Sequence, residues 1–118
     1  MRSDDALLLD MLIAAQKLQR FTAGMDQDEF NGNEMAQSAV LREFQVIGEA
    51  ARLISDATKT QHTSIQWPAV SGMRNRVIHE YFNIDLAIVW DTIRDDIPPL
   101  IEQLAQIVPS EEDNHDTE

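Results

Sequence analysis

Residues 34–59, EMAQSAVLREFQVIGEAARLISDATK, place Val40, Phe44, Ile47, Ala51 and Ile54 at alternating steps of four and three. That spacing returns apolar side chains to one face of a 3.6-residue helix and defines a narrow buried stripe, so it predicts one long amphipathic helix. It is the strongest periodicity in the chain. Asn33 suits the N-cap position just before it. Upstream, Ser3 caps a first helix with Asp4 and Asp5 at its positive end, and Leu8, Leu12, Ala15 and Leu18 carry its face to about Thr22. Gly24 to Asn33 has a loop composition with room for one short turn. Downstream, Thr60 to Gln66 reads as a polar connection. Trp67 and Pro68 then open a third helix, which is expected to run through Tyr81. Asn83 or Asp85 caps a fourth helix from Leu86 to Asp95. Pro98 and Pro99 break or kink the chain there, or open a fifth helix carrying Leu100, Ile101, Leu104, Ile107 and Val108. No segment has a β period, and no repeat or glycine-rich phosphate loop competes. The expected fold is all-α, an antiparallel bundle of four to five helices.

The 118 residues are enough for one core, and 43% hydrophobic content with only four Gly and four Pro fits helices better than a turn-rich β fold. One domain over residues 1–109 is expected. Residues 110–118 hold Glu111, Glu112, Asp113, Asp116 and Glu118 with no apolar anchor, and are expected to be a disordered acidic tail. The absence of cysteine excludes disulfides, thiolate metal sites and cysteine nucleophiles. Acidic residues bracket Leu7-Leu8-Leu9 and no stretch approaches membrane-spanning length, so a soluble, cytoplasmic protein without membrane contact is expected. A net charge of −12 argues against general adhesion to nucleic acid, and any RNA contact must therefore be local.

One run gathers the residue types that handle a phosphodiester: Arg74-Asn75-Arg76-Val77-Ile78-His79-Glu80-Tyr81. A guanidinium grips phosphate through two hydrogen bonds, an imidazole moves protons near neutral pH, and an amide orients both. On a single helix at about 100° per residue, Arg74 and Tyr81 share one bearing. Asn75, His79 and Phe82 share another, and Arg74 and His79 diverge by about 140°. Val70, Met73, Val77 and Ile78 surround the Arg74 bearing, so the charge needs a polar or anionic partner. Either Arg74 pairs structurally with a carboxylate such as Glu49, or it faces a phosphate in a cleft; spacing by itself favours the first. A lone helical histidine is more often packed or solvated than catalytic, and Tyr81 suits an aromatic with a wet hydroxyl. His62 and His115 lack partners at ligand spacing, so no metal and no cofactor is assigned.

Taken together, Ile47-Gly48-Glu49-Ala50, Trp67, Gly72-Met73-Arg74-Asn75, His79-Glu80-Tyr81-Phe82 and Ile84-Asp85-Leu86 resemble HepT-like proteins of the HEPN superfamily. The likeness covers roughly residues 4 to 108 and rests on spaced signatures in three helices. It implies a homodimer whose motif helices meet near the two-fold axis, and a metal-independent endoribonuclease acting as the toxin of a type VII-like toxin–antitoxin system. In that setting Arg74 and His79 are the catalytic pair, Asn75 supports them, and Arg76 is a candidate RNA contact, although its exposed bearing favours a solvated surface residue. The implied partner is an MntA-like nucleotidyltransferase antitoxin that transfers AMP to the tyrosine two residues beyond the histidine, here Tyr81. The alternative is a non-catalytic dimeric module that binds the nucleotidyltransferase.

Overall fold

The computed structural model describes residues 2–80 and 83–108, with residues 78–80 and 83 described by their backbone alone. Tyr81, Phe82 and the acidic tail lie outside the described residues. Four longer helices form the body: α1 (Asp4–Phe21), α3 (Glu34–Leu53), α7 (Leu86–Asp95) and α8 (Ile97–Ile107). Short helices α2 (Gln27–Asn31), α4 (Asp56–Gln61), α5 (Trp67–Ser71) and α6 (Met73–Val77) join them, with a small hairpin of β1 (Ile78–Glu80) and β2 (Asn83–Ile84). Among the described residues only five lie in strands, and the class is all-α as expected.

Local capping accounts for the helix starts. Ser3 Oγ accepts the Ala6 N–H at 3.2 Å, Asn33 Oδ1 that of Ala36 at 3.0 Å, and Asp85 Oδ1 that of Ile88 at 3.1 Å. Each satisfies an amide that the helix itself leaves unpaired. Pro98 and Pro99 sit in the first turn of α8, where missing N–H groups do no harm. The loop after α1 contains α2, which sets the fully buried Phe30 against Trp90 at a ring separation of 5.5 Å.

The long second helix ends six residues earlier than its periodicity predicts. Ile54 leaves helical backbone space at ψ 139° while keeping its side chain buried. Ser55 then caps α4, and Asp4 from the start of α1 fastens this joint. Its carboxylate accepts the Ser55 N–H at 3.2 Å, the Ser55 hydroxyl at 2.5 Å and the Thr58 hydroxyl at 2.6 Å. The first residue of α1 therefore meets the end of α3, which makes these two helices antiparallel; their packing is the most extensive in the fold, and α8 covers α1 from another side. Met11, Leu18, Val40, Phe44, Ile47, Ile97 and Leu104 fill the space between them and are inaccessible to solvent. Burying each such side chain contributes about 1.5–3 kcal/mol.

The third helix also departs from expectation, and this change governs the site. It is divided into α5 and α6 at Gly72, whose N–H closes back on the Pro68 carbonyl at 3.0 Å, and it stops at Val77. The Val77 carbonyl would accept the N–H of residue 81 in a continuing helix; instead it accepts the Asp85 N–H at 3.1 Å, and Ile78 pairs with Ile84. The β-branched residues Val77, Ile78 and Ile84 suit this strand pairing. Among the described residues, no helix is long and apolar enough to cross a membrane.

Candidate functional site

Gly48 sets the position of the site. A Cβ at this point of α3 would stand 3.0 Å from the Ser71 carbonyl oxygen, closer than carbon and oxygen comfortably approach, so only glycine lets the end of α5 lie directly on α3. Ser71 and Gly72 lead at once into α6, which carries Arg74 and Asn75 out over the same stretch of α3. The result is a polar recess of about 260 Å³ lined by Gln45, Gly48, Glu49 and Arg52 of α3, Ser71 of α5, and Arg74 and Asn75 of α6.

Arg74 is exposed on a helix of five residues, so it does not emerge from an apolar stripe as one long helix would have required. Glu49, the carboxylate considered as its structural partner, is bonded to Arg52 instead, at 2.5 Å. That bond, and then the nearby negative charge, raises the Arg52 pKa above its ordinary value and keeps the guanidinium charged. Among the described residues Arg74 has no carboxylate within ion-pair distance, and its side-chain contact is Asn75 Oδ1 at 3.5 Å, a long hydrogen bond. A guanidinium held this way beside an amide is free to receive an anion.

Arg76 points elsewhere. Its Nη2 lies 2.6 Å from Asp96 Oδ2 and donates to Thr92 Oγ1 at 3.1 Å, tying α6 to α7 beside a separate cavity of about 340 Å³. It is thus neither a merely solvated residue nor a member of the Arg74 recess. His79 lies on β1, beyond the end of α6, so the bearing of about 140° from Arg74 that a continuous helix would impose does not hold. Tyr81 lies outside the described residues. His62 caps the end of α4, and its carbonyl accepts the indole N–H of Trp67 at 3.0 Å. No group of three or more potential metal ligands occurs among the described residues. Gln45 and Arg52 were not singled out by sequence motif. Their steps of three and four around Gly48-Glu49 put all four residues on one helical face, and that was the available signal.

An exposed guanidinium, an amide and a polar recess on a helical bundle define a small α-helical module suited to a phosphate-bearing ligand. The chain belongs to the Ribonuclease HepT-like family, whose model matches residues 11–107, and it is a ribonuclease by that membership. It is 34% identical over 103 residues to a candidate RNase of Methanocaldococcus jannaschii, covering 87% of this chain and 94% of that one. It is 34% identical over 99 residues to a probable ribonuclease HepT of Thermococcus cleftensis, covering 84% and 90%. A candidate RNase of Caldanaerobacter subterraneus is 32% identical over 88 residues, covering 75% and 79%. No solved structure matches the chain significantly.

Proposed function

We propose that this ribonuclease cuts RNA internally without a metal ion, as the toxin of a type VII-like toxin–antitoxin pair. The observation that carries the chemistry is Arg74, exposed in a polar recess with Asn75 and without a carboxylate partner among the described residues. The 2′-hydroxyl oxygen of RNA attacks the adjacent phosphorus while the bond to the 5′ oxygen breaks, leaving a 2′,3′-cyclic phosphate and a 5′-hydroxyl. His79 takes the proton from the nucleophile or supplies one to the leaving oxygen. Arg74 stabilises charge on the phosphoryl oxygens, and Asn75 donates to phosphate or orients the imidazole. Because the nucleophile belongs to the substrate, positioning and charge stabilisation account for most of the required work.

The resemblance to HepT-like proteins supports two further elements of the proposal. Two copies of the chain pair so that their Arg74 and His79 side chains line a shared cleft. A nucleotidyltransferase antitoxin silences the site by transferring AMP to Tyr81, adding bulk and negative charge where RNA phosphate must sit. The test is cleavage of RNA by the purified chain in the presence of a chelator, beside Arg74→Ala and His79→Ala. Cutting by the parent and none by either variant, with the oligomeric state unchanged, is expected. Equal cutting by His79→Ala would remove the histidine from the mechanism, and no cutting by the parent on any RNA would leave a partner-binding module.

A further inference from the structure

The Arg74 recess is not isolated. It shares Gln45 and Glu49 with a larger cavity of about 420 Å³ that continues along α3 and is also lined by Arg2, Asp10 and Arg42. Among the described residues, four arginines therefore border two adjoining hollows, against two carboxylates, in a protein whose overall charge is −12. Arg2 is held by Asp10 at 2.9 Å. Arg52 and Arg42 are less committed. The Arg52–Glu49 pair is more than half exposed on both sides, and Arg42 is 80% exposed with Glu43 no nearer than 3.9 Å. The exposed Arg52–Glu49 pair exchanges readily for a better acceptor, and the Arg42 guanidinium stands exposed while Glu43 stays buried; a phosphate that accepts two parallel N–H bonds is such an acceptor for either.

We propose that the RNA strand runs from the Arg74 recess along α3, with Arg52 and then Arg42 holding phosphates beyond the scissile one; this track rests on the ribonuclease function of the recess. Arg42 and Arg52 are ten positions apart on α3, about 15 Å along the helix, which is room for about four phosphates at the axial spacing of a stacked strand. The floor between them includes Val46 and Ala50, and the two carboxylates that line it, Asp10 and Glu49, are each paired with an arginine, Arg2 and Arg52.

The experiment is steady-state cleavage of a single-stranded oligoribonucleotide by the full chain and by Arg42→Ala, Arg52→Ala and Arg20→Ala, at several salt concentrations. Arg20 is an exposed arginine at the far end of α1 and serves as the control. Each track variant should raise KM by about tenfold, with most of the change in KM and not kcat. Each should also flatten the slope of log(kcat/KM) against log[salt] by about 0.7, the signature of one lost single-strand phosphate contact. The Arg42→Ala penalty should shrink on a dinucleotide too short to extend from the recess to Arg42. Unchanged KM and salt slope in Arg42→Ala and Arg52→Ala overturn the track, and so does the same Arg42→Ala penalty on long and short substrates. Weakened association with a protein partner at unchanged KM also overturns it, since the face would then be a protein-docking surface. Arg74→Ala and His79→Ala separate this from the underlying function: if they still cut, the recess is not the site, whereas if they are inactive and the track variants behave as the parent, only the track fails.

Discussion

Gly48→Ala tests whether the close contact of α5 with α3 builds the site. The added methyl would lie 3.0 Å from the Ser71 carbonyl oxygen, 3.8 Å from its carbon and 3.9 Å from the Val70 carbonyl oxygen. All three are backbone atoms and cannot swing aside, so α5 must retreat by a few tenths of an ångström. Overpacking of this kind costs about 1–3 kcal/mol, and replacing a mid-helix glycine with alanine returns about 0.8–1.0 kcal/mol. The net effect is a loss of about 1 kcal/mol, or about 5 °C in Tm for a chain of this size. Activity should fall further than stability predicts. Ser71 leads directly to Arg74, and a misplacement of 1 Å costs about a hundredfold in rate, so about 0.3 Å costs about fourfold. Calorimetry and an RNA cleavage assay on the same preparation measure both effects. If Gly48→Ala melts higher than the parent and cuts at the parental rate, the methyl has met no obstacle and the packing account of the recess is wrong.

Two other variants probe the frame around the site. Asp4 has its carboxyl held below the ordinary value of 3.8, first by the Ser55 hydroxyl and then by Thr58. Its contribution is therefore complete above that ordinary value and is lost as the pH falls through the depressed one. Asp4→Ala should melt below the parent at neutral pH, and the gap should narrow as the pH falls below 3.8; a gap that stays constant from neutral to acid pH would show that the latch does not depend on the charge. Arg76→Ala should lower Tm by no more than about 5 °C, since its ion pair with Asp96 is nearly half exposed, and should leave KM for RNA unchanged. A rise in KM would place Arg76 on the RNA after all.

The parts of the fold legible in the sequence are those decided within a few residues. Asn33 before Glu34 starts α3 where the sequence puts it, and of the alternatives left open downstream the structure takes Asp85 and not Asn83 as the cap of α7, and a new helix at Ile97 with the prolines in its first turn. The two errors come from competition between local pattern and distant contact. Ile54 keeps the helical apolar spacing, so nothing nearby signals that α3 stops; the break at Ser55 is fixed by Asp4, 51 residues earlier. Likewise Val70, Met73 and Val77 satisfy a helix, and only the bond from the Asp85 N–H to the Val77 carbonyl shows that the backbone has turned away. The β-branched and aromatic residues from Val77 to Ile84 were the local hint. Arg74 and Asn75 could be found from their chemistry. Their surroundings could not, because the short step from Glu49 to Arg52 competes with any long-range pairing of Glu49 to Arg74.

Acidity and RNA cleavage are reconciled by distance. Five of the 21 acids lie in the last nine residues, which leaves a net −7 on residues 1–109, and charges more than about 8 Å from a bound strand are largely screened at physiological salt. What a strand meets on the proposed track is a set of arginines, two of them shadowed by a neighbouring carboxylate. Phosphate at Arg52 must replace Glu49, and at Arg42 it competes with the nearby charge of buried Glu43, so a single phosphate has a small net gain at either. A strand held at Arg74 presents its other phosphates at high effective concentration and can displace Glu49 from Arg52 and reach Arg42 in turn. Paired charges on such a face therefore discriminate against mononucleotides and free phosphate in favour of a polymer, which a uniformly basic groove would not do.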